Sequence, residues 1–161
     1  MEVSFVRIDD RLIHGQVATV WSKESKCNKI FVCSDEVAND KLRKSLLLQV
    51  APPGIKAYVM PIDKAVGAYK NPKYNDFKTL FLTTNPTDIL RLIEGGVDIK
   101  SVNVGGMCFK QGKTTQISPA VSVTTEDVEA FRKLHELGIE LEIRQVARDP
   151  KVDLMSKIAK L

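Results

Sequence analysis

The chain has 161 residues, 43% of them hydrophobic, which suffices for one sizeable core and is too short for two comfortable domains. Its 24 Lys and Arg against 20 Asp and Glu give a net charge of +4 that is spread along the sequence, a pattern that does not indicate nucleic-acid binding. No apolar run approaches the roughly 20 residues of a membrane span, and no signal-peptide or C-x-x-C pattern is present. We therefore expect a single cytoplasmic domain over residues 1–161, without a metal site.

Strand-like and helix-like segments alternate through the first half of the chain. Val3–Ile8 predicts a strand that enters the core, and a helix is expected from Gly15 onward. Lys29–Cys33 predicts a second strand. One helix, capped by Ser34 or Asp35, is expected to follow with its apolar positions at Leu42, Leu46, Leu47 and Val50. The next predicted elements are a strand at Ile55–Met60, a short helix at Pro61–Tyr69 and a strand at Lys78–Thr83.

The alternation continues in the second half. Asn85 is a good helix cap with Pro86 at the first helical position, and Gly95 and Gly96 end that helix. The remaining predicted features are a strand at Ser101–Val104, a sheet-pairing segment at Val121–Val123, a capping box at Thr124 and Asp127, a half-exposed edge strand at Ile139–Val146, and a terminal helix opened by Asp149 and Pro150. This order predicts an α/β fold with a doubly wound, mostly parallel sheet, helices on both faces and an antiparallel edge strand.

The segment from Val6 to Trp21, VRIDDRLIHGQVATVW, places His14 in a charged loop between the first strand and the first helix. Ligands of open α/β sheets gather at the carboxyl ends of the strands, where this loop is expected to lie. The free N–H groups of a helix start, here at Gly15 and Gln16, are suited to an anion such as phosphate. The segment therefore predicts an anion site beside a histidine.

The side chains of this loop have the chemistry of a phosphoryl acceptor. Imidazole is a good nucleophile near neutral pH when one ring nitrogen carries the proton and the other faces the electrophile, and Asp9 or Asp10 can hold that tautomer. Arg11 offers a planar fork of donors that matches phosphate oxygens. A plainer interpretation is a solvated ion network in which His14 only caps the turn, and the residues alone leave both interpretations open. Neither a metal nor another cofactor is required.

Two further loops are expected at the same edge of the sheet. Gly105 and Gly106 allow the backbone to approach a phosphate or a partner, and Thr84 can donate a hydroxyl group, although an ordinary turn and a helix cap would explain these residues equally well. Docking of a partner through basic residues is predicted at Lys110 and Lys113. The alternative is an apolar docking surface made of Leu12, Ile13 and Met107.

The string RIDDRLIHGQVATVW closely resembles the phosphohistidine loop of the IIB components of the mannose, fructose and sorbose family of bacterial sugar phosphotransferase systems. The likeness is strongest to the mannose branch and spans nearly the whole chain, through SDEVANDKLRKSLLLQVAPPG, NPKY, TNPTDILRLIEGGV and SVNVGGMCFKQGKT. It implies that His14 takes a phosphoryl group from a phosphohistidine of a IIA partner and passes it to a sugar brought in by the membrane components IIC and IID. Arg11 would be the phosphate ligand, and membrane association would come through those partners.

Alternatives from other classes can be weighed on the same residues. A receiver-like regulatory domain would explain the acidic pair Asp9 and Asp10. It needs an aspartate at the end of the third strand and a lysine at the end of the fifth. In this chain the third strand ends at Met60 and the fifth ends near Gly105, so both requirements fail. A nucleotide-binding enzyme would need G-x-x-x-x-G-K-[ST] or G-x-G-x-x-G, and the first strand-to-helix turn has a single glycine. A plain protein-docking domain stays open. The sequence leaves undetermined the sugar, the reactive ring nitrogen, whether the chain forms a homo-oligomer, and whether IIA is fused to it.

Overall fold

The computed structural model describes residues 1–15, 17–111 and 114–161. Within these ranges the strands are β1 (Glu2–Asp9), β2 (Lys29–Cys33), β3 (Lys56–Met60), β4 (Lys78–Thr83), β5 (Ser101–Gly106), β6 (Thr115–Ser118), β7 (Val121–Val123), β8 (Glu140–Ile143) and β9 (Val152–Asp153). The α-helices are α1 (Ser22–Glu24), α2 (Asp35–Ala38), α3 (Lys41–Gln49), α4 (Ile62–Lys70), α5 (Pro86–Glu94), α6 (Thr125–Glu136) and α7 (Leu154–Ile158). A π-helix over Val17–Trp21 precedes α1, and a 3₁₀ turn over Pro72–Tyr74 precedes β4.

Seven strands form the main sheet in the order β3-β2-β4-β1-β5-β8-β9 among the described residues. All pairings in it are parallel except that of β9, which is antiparallel to β8 at the edge. β1 lies between β4 and β5, so Arg7 is paired with Leu82 on one side and with Asn103 on the other. The loops that follow β1, β4 and β5 therefore meet at one edge of the sheet.

Helices cover both faces of this sheet, so its central strands are buried on both sides. On one face a core cluster joins Ile8 and Phe81 to side chains of α4, α5, α6 and α7. On the other face a second cluster joins Leu80 and Leu82 to Trp21 of the π-helix and to side chains of α2 and α3. The predicted fold class, a doubly wound and mostly parallel sheet with an antiparallel edge strand, is confirmed.

Local signals fixed several element boundaries. β2 and β4 have the predicted bounds, Lys29–Cys33 and Lys78–Thr83. Asn85 caps α5 by accepting a hydrogen bond from the N–H group of Asp88 at 2.9 Å, and Thr124 with Asp127 forms the predicted capping box of α6. These signals lie within a few residues of the element they start, so no knowledge of the tertiary structure is needed to read them.

The single helix predicted after β2 is wrong. Ser34 caps the four-residue α2, and Asp40 then accepts a hydrogen bond from the N–H group of Arg43 and starts a separate helix, α3. The restart turns the apolar positions outward, and only Leu47 is buried. The side chains of the others are largely exposed, with exposed fractions of 71%, 54% and 48% at Leu42, Leu46 and Val50.

The end of the chain also departs from the prediction. β8 is an interior strand that runs parallel to β5, and the edge strand is β9. The polar residue Glu142, which suggested solvent exposure, is buried because Asn103 and Arg144 donate hydrogen bonds to its carboxylate. The terminal helix begins after Asp153 and not at Asp149 and Pro150.

The prediction that Val121–Val123 pairs at the sheet is only partly right. This segment is β7, and its ladder is an antiparallel pairing with β6, a strand the sequence did not predict. Among the described residues, it is linked to the loop after β5 by an isolated bridge between Met107 and Val121. None of the helices in the described part of the chain has the length and apolar character needed to cross a membrane.

Candidate active site

The loop after β1 folds back onto the end of its own strand. Leu12 has a left-handed backbone (φ 61°), and its N–H group donates to the carbonyl of Asp9 at 2.9 Å. Leu12 and Ile13 are buried in the core beneath the loop. The turn is therefore anchored by two apolar side chains, and it brings the imidazole of His14 to the carboxylate of Asp9.

Asp9 is the centre of the site and is fully buried. Its Oδ2 lies 2.8 Å from Nε2 of His14 and 3.1 Å from Nη2 of Arg7. Its Oδ1 accepts hydrogen bonds from the backbone N–H group and from Nε of Arg11, at 3.1 and 3.3 Å. Burial by itself would raise the pKa of Asp9, but the hydrogen bond from His14 and the positive charge of Arg7 outweigh it and lower that pKa to about 2. Asp9 is therefore an ionised carboxylate at neutral pH.

The charge state of Asp9 determines the tautomer of His14. An ionised carboxylate can only accept hydrogen bonds, so Nε2 of His14 must carry the proton that lies between the two groups. In the neutral ring the lone pair is then on Nδ1. Asp9 binds the ring on its buried side, and the His14 side chain is 18% exposed, so the ring remains accessible from solvent. The contact with Asp9 thus occupies Nε2 and leaves Nδ1 without a protein partner among the described residues.

Arg11 lies at the surface end of this network. Its side chain is 50% exposed, and its Nε and Nη2 atoms both face the carboxylate of Asp9. It lines a cleft of ≈ 800 Å³ together with Arg43, Thr84 and Lys110. A guanidinium placed there can meet the oxygens of a phosphoryl group without leaving its carboxylate partner.

Asp10 does not share the role of Asp9. Its carboxylate accepts the N–H group of Cys108 at 2.6 Å, its N–H group donates to the carbonyl of Gly106, and its carbonyl accepts a hydrogen bond from Arg43. These contacts tie the His14 loop to the loop after β5 and to α3. Of the two aspartates, Asp9 contacts the imidazole and Asp10 holds the loop.

The two glycines at the end of β5 make room for buried charges. A Cβ atom at Gly105 would lie 2.0 Å from Cζ of Arg7, so the fully buried guanidinium would have to leave its present position. At Gly106 it would lie 3.3 Å from Oδ1 of Asp9. The glycines were predicted to let the backbone approach a phosphate or a partner, and the contacts give a different physical reason for their presence.

Comparison with known families shows which kind of protein carries this arrangement. Residues 3–161 match the family described as the PTS system sorbose subfamily IIB component. The chain belongs to this family. The predicted resemblance to the IIB components of sugar phosphotransferase systems is thereby confirmed.

Individual relatives match this chain over almost all of its residues. The mannose-specific EIIAB component of the PTS of Escherichia coli K12 is 57% identical over all 161 residues, and this chain spans 50% of its length. The sorbose-specific EIIB component of Lacticaseibacillus casei is 51% identical over 98% of this chain and 96% of the relative. The crystal structure of the IIBSor domain of the Klebsiella pneumoniae sorbose permease superposes with a TM-score of 0.96 at 47% identity, covering 99% of this chain and 98% of that domain.

The prediction of an apolar docking surface is wrong, because its three residues are buried. Leu12, Ile13 and Met107 have exposed fractions of 0%, 3% and 6%, because all three side chains pack into the core. The exposed apolar side chain in this part of the molecule is instead Phe109, which lies on the cleft beside Lys110.

Other predicted site residues have simpler surroundings. Thr84 lines the cleft, and its hydroxyl oxygen accepts a hydrogen bond from the side chain of its neighbour Asn85. Gly15 is exposed directly after His14, whereas Gln16 and Lys113 lie outside the described residues. The expected anion-binding helix start is a π-helix, and the carbonyl of His14 accepts the N–H group of Ala18 at 2.8 Å.

Sequence reasoning missed Arg7, although it touches Asp9. Arg7 is fully buried between the apolar residues Val6 and Ile8 of a central strand. That placement was itself a signal, because an arginine inside a buried strand must be paired with a carboxylate or with several carbonyl groups. Arg43, which reaches the loop from α3, carried no comparable signal.

Proposed function

We propose that this IIB component accepts a phosphoryl group on Nδ1 of His14 from a phosphohistidine of a IIA partner and passes it to a mannose-type hexose during uptake. The observation that carries the proposal is the contact of 2.8 Å between Nε2 of His14 and the buried, ionised carboxylate of Asp9. It leaves Nδ1 with the lone pair, which is the requirement for a phosphoryl acceptor. Membership of the IIB family favours this function over a receiver-like or plain docking domain.

The first transfer forms one N–P bond and breaks another. The lone pair of Nδ1 attacks the phosphorus in line, and the electron pair of the donor's P–N bond returns to the donor imidazole. Positive charge develops on the His14 ring as the new bond forms, and the Nε2–H group that carries part of it faces the carboxylate of Asp9. Catalysis then consists mainly of positioning and charge stabilisation, as is general for phosphoryl transfer.

The phosphoryl oxygens are the second element that needs stabilisation. Arg11 binds the same carboxylate as the His14 ring and is half exposed, so its guanidinium can bind these oxygens while Asp9 holds its Nε atom. The N–H groups near Gly15 and Gln16 are further candidates by position in the sequence. Asp10 keeps the loop closed against the end of β5 and thereby fixes the distance between the ring and Arg11.

The second transfer gives the group to a sugar. A hydroxyl oxygen of the sugar attacks phosphorus, the N–P bond breaks, and its electron pair returns to Nδ1 of His14. The hydroxyl proton is taken by a base of the sugar-binding component, which we infer to be the membrane proteins IIC and IID. His14 is regenerated as the same neutral tautomer, so the cycle requires no cofactor.

The names of the relatives support the choice of partners and sugar. The mannose-specific EIIAB relative is about twice as long as this chain, and its name places a IIA function and a IIB function in one protein. We infer that a IIA protein or domain is the phosphoryl donor of this chain. Mannose-type sugars are favoured by the 57% identity to that relative, against 51% and 44% to relatives named for sorbose and fructose.

The decisive experiment is transfer from a phosphorylated IIA donor prepared from a mannose-specific relative. We expect stoichiometric label on His14, with a ³¹P signal typical of Nδ1-phosphohistidine and with the label mapped to the Val6–Trp21 segment. His135, which is exposed on α6, supplies the matched control, so His14→Ala should abolish labelling and His135→Ala should leave it unchanged. Label that persists in His14→Ala would refute the assignment.

A further inference from the structure

We propose that Arg7 is a positioning residue for phosphoryl transfer: through Asp9 it fixes the orientation and the tautomer of the His14 ring before attack. The inference rests on the proposed function, since it concerns the same histidine. Arg7 does not face the cleft or the phosphoryl group. Its effect on the reaction must therefore pass through the carboxylate that it shares with His14.

The guanidinium of Arg7 is held through both of its Nη atoms, whereas its buried Nε atom has no hydrogen-bond partner among the described residues. Nη2 donates to Oδ2 of Asp9 and to the carbonyl of Gln145, both at 3.1 Å. Nη1 donates to Oδ1 of Asn103 and to the carbonyl of Arg144. Its Cζ atom lies 4.9 Å from the centre of the Trp21 ring, so the guanidinium plane is held as well as its edges.

The neighbours of Arg7 are themselves oriented toward it. The Nδ2 group of Asn103 donates to Glu142 and to the carbonyl of Arg144, both at 3.2 Å, which leaves the Oδ1 atom of that amide facing Arg7. Gly105 supplies the space that the guanidinium fills. Three strands, β1, β5 and β8, thus contribute to a socket for one cation directly beneath Asp9.

The charge of that cation matters for the reactivity of His14. A carboxylate without a counter-charge, held against Nε2, favours the imidazolium form, in which Nδ1 carries a proton and cannot attack phosphorus. Arg7 binds the same Oδ2 atom as His14, and Arg11 binds Oδ1, so the negative charge of Asp9 is balanced by two guanidinium groups. Arg7 therefore holds the Oδ2 atom of Asp9 in place as the acceptor of the Nε2–H group of His14.

The chain offers a matched control for the loss of a guanidinium. Arg144 lies 5.0 Å from the same Trp21 ring, and its guanidinium binds Glu142 and the carbonyl of Ala147. Its side chain makes no hydrogen bond to Asp9 or His14 among the described residues. Arg144→Met therefore removes a second cation stacked on Trp21 while leaving the contacts of Asp9 in place.

The experiment compares Arg7→Met, Arg7→Lys and Arg144→Met with the unaltered chain. Single-turnover transfer from the phosphorylated IIA donor gives the rate constant at saturation and the half-saturating donor concentration. ¹⁵N spectra of the His14 ring at pH 7.5 distinguish the Nε2–H tautomer, the Nδ1–H tautomer and imidazolium. Circular dichroism reports the folded fraction to which every rate is normalised.

We expect the saturated rate constant to fall at least about 30-fold in Arg7→Met, with half-saturation within about twofold, because the lost interaction concerns the reacting ring and not the docking of the donor. The Nε2–H tautomer should no longer dominate the ring spectrum. Arg7→Lys keeps the charge and loses the fork, so it should restore part of the rate and part of the tautomer population. Arg144→Met should match the unaltered chain within about twofold in both readouts.

Folded Arg7→Met protein with the rate and ring spectrum of the unaltered chain would overturn the proposal. If Arg7→Met does not fold, Arg7→Lys decides, and an unaltered rate and spectrum in that variant would equally overturn it. An equal loss of rate in Arg144→Met would assign the effect to stability of the Trp21 region and refute a positioning role. Failure of the proposed function is distinct, because the unaltered chain would then take no label while the ring spectra would still report on Arg7.

Discussion

The floor and the rim of the site are built in opposite ways. On the floor, Arg7 and Asp9 are fully buried, and each is bound by several partners from different strands. On the rim, Arg11 is half exposed, and Phe109 and Lys110 lie open on the cleft. The floor is held in one arrangement by these partners, whereas the side chains of the rim are accessible to solvent.

The neighbouring aspartates give the same contrast within two residues of sequence. Asp9 contacts the imidazole and two guanidinium groups, whereas Asp10 contacts backbone N–H and a neighbouring loop. A carboxylate in the first position affects charge and tautomer directly, and one in the second affects only the geometry of the loop. Replacing each by its amide is therefore the sharpest way to break the comparison.

The largest effect is expected from Asp9→Asn. The amide removes the negative charge that faces the developing positive charge of the ring, so the transfer rate per folded molecule should fall at least about 100-fold. Asp10→Asn should change it by less than about threefold, because an amide oxygen can still accept the N–H group of Cys108. Single-turnover transfer with both variants measures the difference, and similar losses in the two would show that Asp9 acts only by holding the loop.

The same variant also tests the charge of Asp9 through acid stability. Its pKa of about 2 lies below the usual 3.8, so as pH falls the unfolded chain takes up this proton first and unfolding is favoured. The stabilisation is fully present above about pH 5 and is lost toward pH 2, and it amounts to about 2 kcal/mol. In urea titrations, the stability difference between the unaltered chain and Asp9→Asn should shrink by that amount across this range, and a constant difference would contradict an ionised Asp9.

Much of the fold could be predicted because its signals are local. The strand Lys29–Cys33 and the cap at Asn85 depend on residues within one turn or one strand of each other. The interior position of β8 could not be predicted, since strand order is a long-range property and Glu142 in isolation indicates exposure. The break at Asp40 had a local signal, a good N-cap residue, but the apolar spacing across it favoured one continuous helix.

The same difference between local and long-range signals applies to the residues of the site. His14, Asp9 and Arg11 were candidates because they are close in sequence and chemically distinctive. Arg7 was not, because the partners that explain it, Asn103 and the carbonyl of Gln145, are 96 and 138 residues away. Sequence reasoning therefore found the charged groups that are close to His14 in the sequence and missed the arginine whose partners are distant in the sequence.

An intermediate effect is expected at the boundary between floor and rim. Arg11→Lys keeps a positive charge and loses the planar fork that spans Asp9 and a phosphoryl group, so transfer should slow by at least about tenfold, roughly 1.4 kcal/mol of transition-state stabilisation. The melting temperature should change little because the side chain is half exposed. Single-turnover rates and thermal melts check both statements, and a lysine variant with the full rate would mean that Arg11 contributes only general electrostatics.

The smallest effect is expected on the rim, where Lys110 lies on the cleft and the chain carries a net charge of +4. A donor that docks over this surface should be steered by its charge, so Lys110→Ala should lower the association rate by about two- to threefold at low salt and by less at physiological salt, where the Debye length is about 8 Å. Lys133→Ala is the matched control, because that exposed lysine lies roughly 13 Å further along the axis of α6 from Thr124, the cap residue that lines the cleft. Stopped-flow association of the phosphorylated donor measures these rates. If Lys110→Ala has no effect, or if the two lysine variants slow association equally, docking does not depend on a local basic rim, and the exposed Phe109 becomes the better candidate for the contact.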